Sequence, residues 1–281
     1  MGVQSRPDEL GGSPLRRLDT SVMHPARRYN YWLGGKDNFA ADRESAEQIA
    51  SVYPAVRTAA RENRAFLRRA VRFLVEEAGV RQFLDVGTGI PSADNTHEVA
   101  QALAPEARIV YVDNDPMVLV HARALLTSSS AGATAYLDAD LRDPTGILEH
   151  PDLREMLDLD RPVALMLIAV VHFMSDEDRP YDLVARLLDA LPSGSYLAMT
   201  HFTADLLPRE VVERSAAAVA AGHYKPDGTA RSRAEVGRFD AGLDLVEPGI
   251  VPVAEWRPEV PAEQRPARAD ASIYGLVARK P

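Results

Sequence analysis

Acidic residues and glycines stand at the ends of two short apolar segments, and together they could bind a nucleotide-like ligand. Phe83-Leu84-Asp85-Val86-Gly87-Thr88-Gly89 is typical of a buried strand that runs into a glycine turn. Arg108 to Asp113 is a second apolar strand that ends in an acid. Paired glycines let the backbone turn sharply and approach a ligand, and Asp113 suits a carboxylate that accepts both hydroxyls of a ribose. The spacing predicts the first half of a nucleotide-type site.

The charges around the glycine turn favour a cationic ligand over a pyrophosphate. A dinucleotide site usually has a third glycine for close helix packing, but Ser92 stands at that position. Asp85 and Asp94 also place negative charge where a pyrophosphate would lie. S-adenosylmethionine has no phosphate and presents an ammonium and a sulfonium group, which a carboxylate attracts. The pattern favours S-adenosylmethionine over NAD, and an NAD-linked oxidoreductase stays open as an alternative.

Two histidines stand at the carboxyl ends of predicted strands and could act on a substrate. His172 comes after the apolar run from Val163 to Val171, and His201 ends a later strand. A histidine in such a place can be a general base for a hydroxyl group, or it can orient the substrate. The alternative is a histidine held in the core by hydrogen bonds. The histidines lack the spacing of a zinc-binding helix, so we expect no metal site.

A block rich in aromatic and amide side chains, Arg28 to Asn38, precedes the strands. Its composition suggests a lid that folds over the ligand, with Arg28 and Lys36 gripping a carboxylate. The alternative is an N-terminal segment that docks its aromatic rings on the core. We interpret the Arg-rich helix that follows, Arg57 to Arg72, as a solvated face, because the chain as a whole is acidic.

Alternating strand and helix patterns must position these residues. Strands are predicted at 82–86, 109–113, 134–137, 163–171, 196–201, 245–253 and 273–278. Helices are predicted at 42–52, 56–77, 94–103, 116–126, 175–191, 208–221 and 232–242. This order predicts an α/β fold, with a doubly wound, Rossmann-like, seven-stranded sheet whose last strand is antiparallel, and a helical N-terminal extension. We expect a flexible tail at 1–20, a helical cap or lid at 21–79 and the ligand-binding domain at 80–281.

Composition excludes several classes of protein. The 281 residues include no cysteine, which rules out disulfides, thiolate metal sites and a cysteine nucleophile. The net charge of -9 argues against a broad nucleic-acid surface. The longest apolar run is too short to span a bilayer, and no apolar signal core follows Met1. We expect a cytoplasmic protein without membrane or nucleic-acid partners, and an oligomer is compatible with the sequence.

The motifs resemble those of class I S-adenosylmethionine-dependent methyltransferases. Residues 83–89 look like the first motif of that class, and 112–117 look like its second-strand acid followed by a helix start. Residues 137–141 look like the segment that flanks adenine. The resemblance implies a Rossmann-like fold and S-adenosylmethionine as the cofactor.

A more specific likeness is to a bacterial family first catalogued as a domain of unknown function and now called S-adenosyl methyltransferase. Its members have blocks similar to residues 26–39 and 62–71, and an Asn and a His follow the glycine loop in the manner of Asn95 and His97. This likeness runs through most of the chain. It implies the fold and the cofactor, and it does not identify the acceptor substrate.

The class I resemblance implies a role for each matching residue at the glycine turn. Gly87, Thr88 and Gly89 would line the methionine and ribose portions of the cofactor. Asp85 would lie near the methionine amine, and Asp113 would accept the ribose diol.

The same resemblance assigns the adenine and sulfonium ends. Asn114 would lie beside adenine, Asp140 would face its amino group, and Leu141 would pack on the ring. Ala169 to His172 would border the sulfonium. Many methyltransferases carry an Asp/Asn-Pro-Pro-aromatic signature there, and this chain does not. We therefore do not expect methylation of DNA bases or glutamine side chains.

The sequence predicts methyl transfer from S-adenosylmethionine to a small-molecule acceptor, at oxygen or nitrogen. The alternative from another class is a regulatory protein that binds the cofactor or S-adenosylhomocysteine without turnover. The glycine turn and Asp113 do not separate the two.

Overall fold

The structure is a computed structural model that describes residues 18–125, 131–223 and 225–281. Most of the predicted tail, residues 1–17, lies outside the described residues. The strands are β1 Gln82–Val86, β2 Arg108–Asp113, β3 Ala133–Asp138, β4 Ala164–Ile168, β5 Tyr196–Phe202, β6 Asp244–Leu245, β7 Val251–Pro252 and β8 Ile273–Arg279. The helices are α1 Pro25–Trp32, α2 Ala40–Val52, α3 Val56–Glu76, α4 Thr96–Leu103, α5 Pro116–Leu125, α6 Pro144–Glu149, α7 Pro151–Met156, α8 Pro180–Asp189, α9 Arg209–Ala220 and α10 Arg233–Val236.

One sheet organises the described residues. Its order is β3-β2-β1-β4-β5-β8-β6, and β7 also pairs with β8. The first five strands are parallel, so that Leu84 on β1 lies beside Val110 on β2 and Leu165 on β4. Strand β8 runs antiparallel to β5, β6 and β7. The predicted doubly wound fold with an antiparallel last strand is confirmed.

The number of strands differs from the prediction, which was seven and is wrong by one. The run predicted as one strand at 245–253 forms two short strands, β6 and β7. Pro248 has no N–H to donate to a neighbouring strand, and Gly249 turns with a φ of 81°. The turn is closed by a hydrogen bond from Gly249 N to Val246 O (2.9 Å). The pairing with β8 is therefore interrupted and then resumed.

Strand β4 also ends earlier than predicted, at Ile168 instead of Val171. Ala169 has a φ of 55°, which leaves the β region, and its N–H donates to Thr200 Oγ1 (2.8 Å). A short 3₁₀ turn follows at Val171–Phe173. An apolar run does not show where a buried strand stops, and here the stop brings residues 169–173 to the end of the sheet.

The N-terminal extension is helical, as predicted, and its third helix belongs to the core. Phe66 and Leu74 on α3 are fully buried against the sheet, and the Phe66 ring packs edge-on against Trp256 (5.3 Å between centroids). Arg69 is buried as well and donates to Val253 O (2.6 Å) and Trp256 O (2.9 Å). The interpretation of the Arg-rich helix as a solvated face is therefore wrong for Arg69, whose guanidinium satisfies buried carbonyl groups.

None of the helices in the described ranges is both long and apolar enough to cross a membrane.

Candidate functional site

The glycine turn sits at the carboxyl end of β1, where the strand order reverses between β1 and β4. In open α/β sheets, ligands bind beyond the carboxyl ends of the strands at such a point. Gly87 has a φ of 75°, and a Cβ there would overlap the side chain of Val170. Gly89 has a φ of 69°, and its N–H donates to Asp113 Oδ2 (2.7 Å). The turn is thus built for glycine and is fastened to the end of β2.

Asp113 is buried at that end of β2 and lines the same pocket. Its Oδ1 accepts the N–H of Asp115 (2.9 Å), and its Oδ2 accepts that of Gly89. Burial raises the pKa of Asp113 above its usual value, although both backbone donors oppose the rise. A carboxylate has about four lone-pair sites, so roughly two remain for ligand hydroxyls. The carboxylate is therefore oriented by the backbone and still able to accept a diol.

Asp85 lies one residue before the end of β1 and is also buried. It accepts a hydrogen bond from Thr96 Oγ1 (2.6 Å). Burial raises the pKa of Asp85 to about 6, while Thr96 and the nearby Arg64 oppose the rise. Near neutral pH the side chain is a buried anion without a directly bonded cation among the described residues. It could therefore attract an ammonium group in the pocket.

Two neighbouring residues on α3 present polar atoms that have no partner among the described residues. Asn63 is 1% exposed, its Nδ2 donates to Tyr29 Oη (2.9 Å), and its Oδ1 is buried and unpaired. Arg64 donates through Nη2 to Ala93 O and Asp94 O (both 2.9 Å), while its Nε is unpaired. Both residues line the pocket beside Asp85. Their amide and guanidinium groups could form hydrogen bonds with a ligand that carries an amine and a carboxylate.

The residues predicted to surround adenine gather at the ends of β2 and β3. Asn114 Nδ2 donates to Asp140 Oδ2 (2.8 Å), and Asp140 Oδ1 accepts the N–H of Arg142 (2.8 Å). Leu141 is buried and lines the pocket between them. The structure thus brings one apolar side chain and a hydrogen-bonded polar pair to the place predicted for the base.

His172 lies in the 3₁₀ turn after β4 and lines the pocket together with Ala169. Its Nδ1 is buried and has no hydrogen-bond partner in the described ranges. Burial, helped by repulsion from His201, Arg28 and Arg231, lowers the pKa of His172 well below its usual value. The imidazole is therefore neutral near pH 7, and the described neighbours that shift its pKa all disfavour its protonated form.

The structure does not bring His201 to the pocket surface. Its Nδ1 lies 2.7 Å from Phe202 O, a carbonyl that can only accept, so this nitrogen carries the proton. Its Nε2 then accepts from Arg231 Nη1 (3.1 Å). Burial lowers the pKa of His201 to about 4. Both ring nitrogens are thus engaged, which is the arrangement of a histidine held in the core.

Arg28 and Lys36, the two predicted carboxylate grips, lie in different environments. Lys36 is exposed and is not among the described residues that line the pocket. Arg28 is 2% exposed and pairs with both carboxylate oxygens of Asp227 (2.8 and 3.0 Å). Its Nη1 also donates to Ser45 Oγ (3.1 Å). This guanidinium connects α1 to the loop before α10, so most of its donors are already used.

A single pocket of about 940 Å³ connects these side chains. This volume is near the upper end of the range of roughly 300–1,000 Å³ for small-molecule sites. Every predicted cofactor residue except Lys36 lines it, and so does His172. A smaller cleft of about 260 Å³ lies at the amino ends of β1 and β5, away from these side chains. The described part of the chain holds no group of three or more His, Cys, Asp or Glu residues that could bind a metal ion.

Sequence reasoning missed Asn63, Arg64 and Asp227. A signal existed for Asn63, because it falls on the apolar stripe of α3 between Ala60 and Phe66. A polar side chain on a core-facing stripe must find a polar partner. Arg64 is one of several arginines on the same helix, and nothing in the sequence separates it from the exposed ones. Asp227 stands in a Pro-Asp-Gly turn, which indicates a turn and gives no sign of its pairing with Arg28.

Known proteins share both the sequence and the fold of this chain. A profile of the S-adenosyl methyltransferase family matches residues 12–281. The chain is 49% identical to a DUF574 family protein from Streptomyces avermitilis MA-4680, with a TM-score of 0.87 over 94% of this chain and 100% of that one. It is 43% identical to a candidate methyltransferase from Thermobifida fusca YX, with a TM-score of 0.83 over 93% of this chain and 96% of that one. A comparison with curated proteins gives no match. The family match confirms the resemblance seen in the motifs, and the chain therefore belongs to the S-adenosyl methyltransferase family, whose cofactor is S-adenosylmethionine.

Proposed function

We propose that the protein transfers a methyl group from S-adenosylmethionine to an oxygen or nitrogen atom of a small-molecule acceptor. The observation that carries the proposal is the continuity of the pocket. The cofactor residues on β1, β2 and β3 and the residues after β4 line one cavity, so an acceptor beside His172 would face the cofactor. When bound, S-adenosylmethionine would supply a methyl group on a positively charged sulfur. The lone pair of the acceptor would bond to the methyl carbon in line with the breaking carbon–sulfur bond, S-adenosylhomocysteine would leave, and the proton lost from the acceptor would pass to water.

The side chains present fit this cofactor. Asp113 retains lone pairs for a ribose diol, and the glycine turn leaves room beside Val170 that any larger residue would fill. Asn63, Arg64 and Asp85 line the pocket and bring an amide, a guanidinium and a carboxylate that suit the amine and carboxylate of a methionine moiety. We assign the carboxylate to Arg64 instead of Arg28 or Lys36, because Arg28 is occupied by Asp227 and Lys36 lies outside the pocket.

The chain contributes to the reaction mainly by alignment. Holding two reactants in line can contribute roughly 7–11 kcal/mol to lowering a barrier. A neutral His172 suits a role in orienting the acceptor through a hydrogen bond better than a role as general base, because a proton on its ring would have no acceptor at Nδ1. His201 supports this position from the core, with its ring centroid 5.8 Å from that of His172.

Calorimetric titration tests the proposal. We expect S-adenosylmethionine and S-adenosylhomocysteine to bind and NAD not to. Asp113→Ala should raise the dissociation constant of S-adenosylhomocysteine by about tenfold or more, since each hydrogen bond to a charged group contributes roughly 1.5–3 kcal/mol. Asp244→Ala is the matched control, because Asp244 is an exposed acid on β6. NAD binding with no heat from the other two ligands would refute the proposal, and an unchanged dissociation constant in Asp113→Ala would refute the ribose assignment.

A further inference from the structure

The pocket has two halves of opposite character. The half over β1, β2 and β3 contains the acids and amides of the cofactor site. The half over β4, β5 and β8, which we call the apolar half, is bounded by Phe202 and Ile273, a cross-strand pair at the ends of β5 and β8. Its other described walls are apolar residues of α2, α3 and α9. The two halves meet at Ala169 and His172.

Helix α9 forms the outer wall of the apolar half and has an unusual pattern of burial. Six of its twelve residues line the pocket, at steps of three and four that mark one helical face: Val211, Val212, Ser215, Ala216, Val219 and Ala220. None of its residues is buried, and Val212 and Val219 are each 40% exposed. A helix normally buries its apolar face against the protein. Here that face points to a cavity instead.

The helix is nevertheless held in place by the opposite wall. Arg214 donates to Val52 O at the end of α2 (2.8 Å from Nη2 and 3.3 Å from Nε). Ile49, Val52 and Val56 line the cavity from α2 and α3. The width of the apolar half is thus set by contacts between protein groups, and the space between the walls is available to a ligand.

Two polar groups that border the apolar half, the Tyr53 hydroxyl and the Arg28 guanidinium, are engaged within the protein, although Arg28 Nε and His172 Nδ1 are buried without a partner among the described residues. Tyr53 Oη donates to Ala269 O (2.9 Å) and accepts from Ser272 N (3.2 Å). Arg28 is paired with Asp227 in a bidentate contact, so its charge is neutralised. A charged acceptor in this half would lose its hydration without gaining an ion pair, which is unfavourable. An uncharged molecule would bury apolar area, at about 25 cal/mol per Å².

We propose that the apolar half binds the methyl acceptor, and that this acceptor is an uncharged, largely apolar small molecule that packs between α9 and α2. The proposal rests on the proposed function, because it takes the cofactor half as the source of the methyl group. The apolar half is continuous with the cofactor half, so its occupant lies within reach of the cofactor. A second copy of the chain is the competing occupant of the α9 face, and the test below distinguishes it.

The experiment uses N-phenyl-1-naphthylamine, an uncharged apolar probe that becomes fluorescent on leaving water, added to the full chain saturated with S-adenosylhomocysteine. We expect saturable binding. The double variant Val212→Glu, Val219→Glu should lower the affinity for the probe by about tenfold or more, because it places carboxylates beside the binding space. Val260→Glu is the matched control, since Val260 is 43% exposed and lies outside the pocket. Ala216→Trp, which fills the cavity from an exposed position on α9, should also abolish binding.

Three further measurements make the outcome decisive. The 8-sulfonate derivative of the probe should bind at least about tenfold more weakly, because its charge has no partner in the apolar half. Calorimetry should show unchanged S-adenosylhomocysteine binding in every variant. If that ligand fails to bind the wild type, the proposed function fails. If it binds and the probe does not, or if the probe is insensitive to the α9 variants, the apolar acceptor is refuted. A lower mass of the double variant by light scattering would mean that a second copy covers α9, which also overturns the proposal.

Discussion

Replacing Arg64 by Met should weaken the binding of S-adenosylhomocysteine, because the protein loses a contact with the amino-acid portion of this ligand. The guanidinium of Arg64, which lines the pocket together with Asn63, is the group that we assign to the methionine carboxylate. A hydrogen bond to a charged group contributes roughly 1.5–3 kcal/mol, and each 1.4 kcal/mol changes an equilibrium constant about tenfold. The dissociation constant should therefore rise by roughly 10- to 150-fold. Met retains most of the apolar stem, so packing along α3 is preserved.

The measurement must separate this contact from a second role of the same side chain. Arg64 also holds Ala93 O and Asp94 O in the loop before α4, so its loss could loosen the loop. 5′-Methylthioadenosine has the nucleoside and lacks the amino-acid portion. Calorimetry of Arg64→Met should show a large loss of affinity for S-adenosylhomocysteine and little loss of affinity for 5′-methylthioadenosine. Arg72→Met, on the same helix outside the pocket, should change neither. An equal loss for both ligands in Arg64→Met would refute the carboxylate assignment and leave Arg64 as a loop support.

Further predictions concern the buried charges and histidines. Asp85→Asn should become increasingly more stable than the wild type as the pH rises from 4 to 7. Folding raises the pKa of Asp85 from 3.8 to about 6. The free energy of unfolding of the wild type therefore falls as the pH rises through this range, by about 3 kcal/mol at most, whereas the variant has no acid to ionise at this position. Urea unfolding across that range checks the trend, and a constant difference would contradict it. Neither His172 nor His201 should titrate near pH 6.5, because burial lowers both pKa values, that of His201 to about 4; ¹⁵N chemical shifts of the imidazole nitrogens report this, and titration of either ring near pH 6.5 would be inconsistent with the structure. Asp227→Ala should destabilise the fold by about 3 kcal/mol, since it leaves the guanidinium of Arg28 buried without its counter-ion. In a double-mutant cycle by urea unfolding, adding Arg28→Ala should recover part of that loss, and strictly additive effects would show that the pair contributes little.

The features that sequence could predict are those fixed by local chemistry. Gly87 and Gly89 both adopt positive φ, a conformation that favours glycine, so their presence after an apolar strand indicates a turn of this kind. Asp115 before Pro116 predicts the start of α5, and Asp115 Oδ1 accepts the N–H of Met117 (2.9 Å). The capping pattern at Ser232 and Glu235 likewise predicts α10. Each of these interactions spans only a few residues, so the sequence contains all the partners.

The features that sequence could not predict depend on contacts between distant segments. Arg28 and Asp227 are separated by 199 positions, and neither side chain indicates the other. Lys36 and Arg28 stand in the same block, yet only Arg28 lines the pocket, because Arg28 lies on α1 and Lys36 lies in the exposed segment between α1 and α2. His172 and His201 both stand near the end of a predicted strand, but only His201 has its Nε2 occupied, by a hydrogen bond from the distant Arg231. Candidate residues can be predicted by type, but their availability is set by tertiary contacts.

The packing of α3 on β8 has a consequence for how the protein forms during synthesis. Phe66 covers Gly275, where an added Cβ would lie 2.6 Å from the phenylalanine ring. Strand β8 also sits inside the sheet, between β5 and β6. A ribosome therefore releases α3 early and its partner strand more than 190 residues later, and contacts of such wide separation form slowly. The part of the apolar face of α3 that packs on β8 stays uncovered in the nascent chain until β8 has emerged. The contact that seats α3, the helix that carries Asn63 and Arg64, on β8 can therefore form only after β8 has been synthesised.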